Sequence, residues 1–493
     1  MAPAPEDRNL AVRLGAVVAL VLLLVGQAQV TVLDGSSMLA VAQSIVHHGA
    51  LSVPPELGVP GDDGLFYSKY GLLLPLLSVV PVLLMQPIGA VSGRVDLLEA
   101  AAAASLMPLI VGALTAALFL LGRRIGAPRP AAALVAVGTV LGTYLLPYGR
   151  DFFTEPLVAL GIVVMAERAL AGRELQAGAA LALAVLARPQ SAVFVPLLWA
   201  FLAVRASDLG VRAPEQPRGA AGPPGVGRGG GALALARAAV SPILRTLAPL
   251  AIAAAITVAY NLMRFGDALE FGYKEPVDPG FTTPLWEGAR GLLLSPEKSI
   301  VLFAPAIVLA PFALAALWRA GRGAFALLLI ALFAATFVLA ATWHSWMGGW
   351  SWGPRLVIPG VAIVLVALGP WIGERAARMR LAGALFALGF VLSAAAVVAP
   401  AGAQLLDRRP GTDGPQIVRQ VRELPQLTRR SLRAPGDERA RDDDYRRYLA
   451  LWQAGIARQV GGAGWVLAAV GSLVLSVALV AVARPLDGQL RGS

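Results

Sequence analysis

Long apolar runs separated by short polar stretches make up most of the chain, and the first of them extends from Leu14 to about Val30. Runs of comparable length recur as far as Val482. A helix needs roughly 17 to 25 apolar residues to cross the hydrocarbon of a bilayer, where it satisfies its own backbone polar groups. The pattern therefore predicts an all-α polytopic membrane protein.

We predict about twelve transmembrane helices. After the first, they run approximately over 100–121, 130–147, 156–166, 176–186, 191–203, 247–263, 300–318, 324–341, 356–373, 381–399 and 465–482. The stretch 71–91 is also apolar, but Pro75, Pro81 and Pro87 interrupt it, and proline at that density is expected to break a helix. We predict that this stretch is half inserted or forms surface helices along the membrane.

Composition agrees with a bilayer location: 57% of residues are hydrophobic, 14% are charged, and mean hydropathy is +0.69. The net charge of +11 comes from short arginine clusters between apolar runs, which is typical of membrane topology and argues against nucleic acid as a partner. The absence of cysteine excludes disulfides and thiol nucleophiles.

Arg8 and Arg13 before the first span place the N-terminus in the cytoplasm, so that Asp34 lies outside. The competing reading is a cleaved signal peptide ending near Ala28. The cluster from Arg123 to Arg129 is cytoplasmic only if 71–91 does not cross, and both chain ends are then cytoplasmic.

This topology divides the chain into a transmembrane core over 1–400, an external charged segment over 401–463, and a last span with a cytoplasmic tail over 464–493. Within the core, 31–98 is the first external loop. The Gly-, Pro- and Arg-rich stretch 205–246 is a cytoplasmic loop that we expect to be disordered.

The acidic candidates for chemistry lie in predicted external loops. Asp34 opens D-G-S-S-M-L-A, where an acid serves either as a helix cap or as a catalyst. Asp151 and Glu155 lie in Y-G-R-D-F-F-T-E-P, and Glu155 is also suited to cap the helix that Pro156 begins.

The remaining candidates are basic and aromatic. Lys69 and Tyr70 end the first external loop in F-Y-S-K-Y-G, and Lys298 lies in G-L-L-L-S-P-E-K-S-I. The turn W-H-S-W-M-G-G-W-S-W-G-P-R combines an interfacial tryptophan belt with three candidate ligand-binding residues, which are His344, Trp350 and Arg355. Arg188, in A-R-P-Q-S, either lines a substrate path or lies at the external turn of a helical hairpin.

In this order, these features resemble the polytopic glycosyltransferases of the C-type fold, which use polyprenyl-phosphate-linked sugars and include the lipid A aminoarabinose transferases and the protein O-mannosyltransferases. The resemblance covers most of the chain. It implies that Asp34 is the catalytic acid of the first loop, that Asp151, with Glu155, is the acid of the second, and that Lys69 and Tyr70 lie near the donor phosphate. The chain has Asp34-Gly35 where these families have an acidic doublet, which leaves the sugar and the acceptor open.

The chemistry requires a base for the acceptor hydroxyl and cations for the leaving phosphate. We assign Asp34 as the base, Lys69, Tyr70, Lys298 and Arg355 to the phosphate, and His344, Trp350 and Arg188 to substrate binding. The predicted enzyme is an inverting glycosyltransferase of the cell (plasma) membrane, with its active site on the extracytoplasmic face. Its partners are membrane lipid, the lipid-linked donor and a glycan, lipid or protein acceptor.

Three questions stay open at this level. No protein-bound metal is predicted, but carboxylates also bind hard cations, so a divalent cation as cofactor is left open. A transporter or flippase for a lipid-linked or polar substrate is the main alternative function. A scaffold subunit that docks a partner through the charged external segment is the third.

Overall fold

The computed structural model describes residues 3–27, 29–211, 229–273, 278–349, 351–398, 462–484 and 486–491. The charged external segment 401–463, except for its last two residues, and Trp350 lie outside these described residues, and so does the part of the predicted disordered loop between 212 and 228. The flanks of that loop are helical, since one helix ends at Val211 and the next begins at Gly229.

The described chain is mainly helical. Its α-helices are α1 Pro5–Leu24, α2 Leu33–His48, α3 Leu73–Ser92, α4 Val95–Ala104, α5 Leu106–Arg124, α6 Arg129–Leu141, α7 Leu145–Tyr148, α8 Glu155–Leu170, α9 Glu174–Ala187, α10 Phe194–Val211, α11 Gly229–Phe265, α12 Leu285–Leu294, α13 Ile300–Phe303, α14 Ala310–Arg319, α15 Gly323–Thr342, α16 Ile358–Leu365, α17 Leu368–Gly373, α18 Ala376–Val398, α19 Gly462–Ala483 and α20 Leu486–Arg491. Short 3₁₀ turns cover Pro55–Leu57, Pro189–Val193, Pro305–Leu309 and Arg355–Val357. One antiparallel pair of two-residue strands, β1 Val59–Pro60 and β2 Phe66–Tyr67, closes the loop between α2 and α3.

Seven segments of the described chain are long and apolar enough to cross a membrane: Leu73–Ser92, Val95–Arg124, Pro189–Ala206, Val240–Phe265, Gly323–Thr342, Ala376–Val397 and Ala468–Leu490. The chain is therefore an all-α polytopic membrane protein, as predicted. The count of twelve spans stays a prediction. Several predicted spans are interrupted helices, such as 300–318, where Pro305 follows the end of α13.

The proline-rich stretch 71–91 corrects one expectation. It forms a single helix, α3, that continues through Pro81 and Pro87. Each proline removes only one backbone donor, and the turns between them keep theirs. The buried side of α3, which includes Leu74 and Val82, packs against the neighbouring helices and holds the helix together. The helix is also long enough to span a bilayer, so its placement on the membrane surface stays a prediction.

Helix α1 begins at Pro5 rather than Leu14, because its acidic first turn has basic partners on the adjacent helices. The Asp7 carboxylate lies 3.2 Å from Arg123 Nε and 2.8 Å from Arg129 Nε. Further along, Gly15 of α1 lies against Gly112 of α5, and a Cβ on Gly15 would come within 2.5 Å of the Gly112 carbonyl oxygen. Small residues permit this close helix packing.

The ionic residues are divided between two ends of the helix bundle. One end carries the arginines of the α5 to α6 connection, and Arg124 there pairs with Glu167 at 2.6 Å. The other end carries the start of α2, the start of α8, the end of α9 and the turn before α16. Most of the predicted site residues lie at this second end.

Candidate functional site

Asp34 lies in the first turn of α2, but it does not cap the helix. The N-cap position belongs to Val32, and no side chain bonds to the free amides there. Instead, Asp34 Oδ2 lies 2.8 Å from Arg355 Nη1. The capping alternative is therefore wrong, and the carboxylate points toward a residue 321 positions further along the chain.

Four charged side chains form one chain of contacts, which we call the ionic cluster: Asp34, Arg355, Glu155 and Arg188. Arg355 Nε lies 3.6 Å from Glu155 Oε1, and the same oxygen lies 2.5 Å from Arg188 Nη1. The Arg355 guanidinium also stacks 4.3 Å above the Phe153 ring. The Glu155 side chain is 3% exposed, so both arginines compensate a nearly buried carboxylate.

The electrostatics of the cluster keep Asp34 ionised. Burial raises the pKa of Asp34, but the charge of Arg355 and hydrogen bonds from Tyr70 and Arg355 outweigh it, and the net pKa is lowered. Burial and the neighbouring Asp34 raise the pKa of Tyr70. Tyr70 is thus a neutral hydroxyl that donates to a carboxylate.

A pocket of about 410 Å³ opens beside the ionic cluster. Lys69, Tyr70 and Arg188 line its polar wall, and Tyr273, Phe281 and Trp343 are among its aromatic residues. Its volume falls within the range of small-molecule sites. A smaller cavity of about 80 Å³ shares Arg188, Phe281 and Trp343 with it and extends to apolar residues of α8, α15 and α16.

Lys69 and His344 meet at a residue that the sequence reading missed. Lys69 Nζ pairs with the Asp278 carboxylate, and His344 Nε2 lies 3.2 Å from Asp278 Oδ1. Lys69 Nζ also lies 5.1 Å from the centre of the Tyr273 ring. Asp278 shares its loop with other acids, including Asp267 and Glu270, and no pattern in the sequence distinguishes it from them.

The two acids of the second external loop, Asp151 and Glu155, lie in different environments. Glu155 begins α8 and belongs to the ionic cluster, whereas Asp151 accepts a hydrogen bond of 3.1 Å from Gln27 Nε2. Burial raises the pKa of Asp151 to about 6, although Arg150 and Gln27 both lower it. The structure therefore brings Glu155, rather than Asp151, to Asp34.

Lys298 lies apart from the pocket. Its Nζ donates to the carbonyl oxygens of Ser351 at 2.5 Å, Gly353 at 3.2 Å and Gly349 at 3.4 Å. Burial and the charge of Arg355 lower the pKa of Lys298 to about 7, although the charge of the adjacent Glu297 raises it. Of the predicted phosphate ligands, Lys69 and Tyr70 line the pocket, Arg355 belongs to the ionic cluster beside it, and Lys298 lies beneath a turn.

Arg188 follows the last residue of α9 and precedes a 3₁₀ turn, which fits the hairpin-turn reading of this residue. Across the described ranges, no group of three His, Asp or Glu residues could hold a metal ion. Whether a divalent cation takes part stays a prediction.

Comparison with known proteins found similarity in solved structures. No family model matches the chain, and no curated protein matches it. The chain is similar to ArnT from Cupriavidus metallidurans in the apo state, at 14% identity and a TM-score of 0.48 over 97% of this chain and 77% of that one. It is also similar to the same protein bound to undecaprenyl phosphate, at 14% identity and a TM-score of 0.46 over 98% and 75% of the two chains.

A third solved structure is the archaeal oligosaccharyltransferase AglB from Archaeoglobus fulgidus, in complex with an inhibitory peptide and a dolichol-phosphate. It matches at 13% identity and a TM-score of 0.44, over 90% of this chain and 59% of that one. Of these solved structures, the second holds undecaprenyl phosphate and the third holds a dolichol-phosphate.

Proposed function

We propose that this chain is a membrane glycosyltransferase that moves a sugar from a polyprenyl-phosphate donor to an acceptor, with Asp34 as general base. The observation that carries the proposal is the ionic cluster of Asp34, Arg355, Glu155 and Arg188 beside a pocket of about 410 Å³. A structural ion pair alone does not account for two carboxylates, two arginines and a pocket of this size at one end of the bundle.

The donor phosphate would bind among Lys69, Arg188 and Arg355. A phosphodiester carries its charge on oxygens that cationic side chains recognise through charge-assisted hydrogen bonds. The polyprenyl chain would follow the smaller cavity that begins at Phe281 and Trp343 and continues along apolar side chains toward the hydrocarbon. Both cavities are lined mainly by apolar side chains, and Arg188 lies at the wall of both.

The transfer itself needs one proton acceptor and one stabilised leaving group. The acceptor hydroxyl attacks the anomeric carbon and gives its proton to Asp34, while the bond from that carbon to the phosphate oxygen breaks and its electron pair leaves with the phosphate. Arg355 keeps Asp34 ionised before the reaction, and contact between Arg355 and the phosphate would weaken that hold and make Asp34 a better base. Attack opposite the leaving phosphate inverts the anomeric centre.

The distribution of charge supports the proposed side of the membrane. The ionic cluster lies at the end of the bundle opposite the arginines Arg123, Arg124 and Arg129, and the positive-inside rule assigns those arginines to the cytoplasm. The reaction is therefore proposed for the extracytoplasmic face of the cell membrane. The acceptor is a glycan, a lipid or a protein.

The test is release of polyprenyl phosphate by the reconstituted protein, supplied with a panel of polyprenyl-phosphate sugars. We expect release from at least one donor and a loss of about 10²- to 10⁴-fold in Asp34→Asn. Asp96→Asn, at an exposed position in the first turn of α4, is the matched control and should keep the wild-type rate. No release from any donor would favour the transporter or flippase, and a wild-type rate in Asp34→Asn would leave this residue a structural role only.

A further inference from the structure

Three glycines close to Lys298 have an unusual backbone. Gly348, Gly349 and Gly353 all have positive φ angles, of 70°, 65° and 59°. Residues with a side chain rarely adopt this conformation, whereas glycine does so without steric cost. The glycines thus permit a turn whose carbonyl groups at three positions converge on one point.

That point is occupied by the Lys298 ammonium. The residue is 3% exposed, and its three N–H donors meet the three carbonyl oxygens described above together with Ser351 Oγ at 3.4 Å. Among the described residues, no carboxylate lies within ion-pair distance of Nζ. The charge of the adjacent Glu297 favours the ammonium from beyond that distance, and the carbonyl dipoles compensate the buried charge by direct contact.

Side-chain hydrogen bonds hold both partners of this contact in place, the segment that carries Lys298 and the turn that carries the carbonyls. Ser299 caps α13 through a bond of 3.2 Å from the Leu302 amide, which anchors the segment that carries Lys298. On the turn, Ser351 Oγ donates to the Gly348 carbonyl at 2.9 Å, and Tyr148 Oη donates to the Trp352 carbonyl at 2.6 Å.

The turn leads directly into Arg355, whose amide bonds to the Gly353 carbonyl at 3.1 Å. Arg355 is the residue that joins Asp34 to Glu155. Without a cation, the three convergent carbonyl dipoles would repel one another, and the simplest relief is a turn that opens and carries Arg355 away from Asp34.

We propose that Lys298 is a positioning residue: its ammonium closes the 348–353 turn as a built-in cation, and the closed turn aims Arg355 at Asp34 and Glu155. This role replaces the direct contact with the phosphate that the sequence suggested. It rests on the proposed function only where activity is the readout.

The first experiment is chemical rescue of Lys298→Ala, which removes the ammonium and leaves room for a small amine. We expect at least a tenfold loss of phosphate release and a saturable recovery with added ethylammonium. Tetramethylammonium, which has no N–H donor, should not restore activity. Lys298→Met fills the space without a charge and should lose activity without recovery, so recovery in Lys298→Met, or none in Lys298→Ala, would overturn the proposal.

The second experiment is a double-mutant cycle. In an Arg355→Ala background, Lys298→Ala should cause no further loss of activity, because its effect acts through Arg355. Additive losses would show that Lys298 acts independently and would overturn the proposal. If the alanine variant does not accumulate, Lys298→Met enters the same cycle.

The third readout does not depend on catalysis and separates this proposal from the proposed function. Ethylammonium should raise the thermal midpoint of Lys298→Ala, but not that of the wild type or of Lys298→Met. A rise without any transferase activity would support the carbonyl site and reject the glycosyltransferase. No rise in Lys298→Ala, in an active enzyme, would reject the carbonyl site alone.

Discussion

Replacing Asp151 by asparagine should stabilise the protein at neutral pH, and the magnitude follows from its pKa. The pKa of this carboxyl is raised from 3.8 to about 6. The folded state therefore binds more protons than the unfolded state between these values, and wild-type stability falls as the pH rises through them. The linkage gives a cost of about 1 kcal/mol at pH 4.5 and about 3 kcal/mol at pH 7.5.

An asparagine has no such titration and keeps an acceptor for Gln27 Nε2, which donates to this position at 3.1 Å. Relative to the wild type, Asp151→Asn should therefore gain about 2 kcal/mol between pH 4.5 and pH 7.5, or about 2 °C in thermal midpoint for a chain of this length. The assay is thermal unfolding in detergent at both pH values, with Asp96→Asn as the exposed control. A difference between Asp151→Asn and the wild type that does not change with pH would refute the burial of an acid at this site.

Three further predictions test the assignment of residues to the cluster and to packing. Glu155→Gln should lower the turnover rate at least about tenfold and should also lower the thermal midpoint, because it leaves two arginines beside a buried neutral amide. Asp151→Asn, in contrast, should transfer sugar at close to the wild-type rate. Lys69→Ala should raise the apparent KM for the donor by about tenfold or more with little change in thermal midpoint, because the variant loses a cation of the proposed phosphate site. An unchanged KM would show that the donor phosphate does not bind at Lys69. Gly15→Ala should destabilise the protein by about 1 to 3 kcal/mol, because its Cβ would meet the backbone of α5 at 2.5 Å. The control Gly383→Ala should not, because a Cβ at that position has open space around it. Equal thermal midpoints of the two variants would contradict the close packing.

The helical membrane fold could be predicted from sequence, because apolar run length is a local signal, whereas the location of the site on the external face stays a prediction from arginine placement. The sequence identifies Asp34 and Arg355 as candidate site residues, but no local signal predicts that they touch. The choice between Asp151 and Glu155 depends on where α8 begins relative to α2, which is a tertiary property. The charge of Lys298 predicts a phosphate ligand, and only the path of the glycine turn shows that its ammonium contacts backbone carbonyls.

The unbroken course of α3 could not be predicted from sequence, for a different reason. Counting prolines predicts a break, yet Pro81 and Pro87 each cost one hydrogen bond, and packing of the buried side compensates for these losses. Asp278 carries no recognisable pattern at all. Its importance depends on Lys69 and His344, which come from two distant parts of the chain.

The ionic cluster contains two acids and two arginines, so its formal charge sums to zero. A neutral group of four can lie at the edge of a bilayer with a small solvation cost, whereas any three of its members leave an uncompensated charge there. During divergence, the members should therefore be lost or exchanged in opposite-charge pairs. A natural variant with one of the four replaced by a neutral residue should carry a second, compensating replacement within the same cluster.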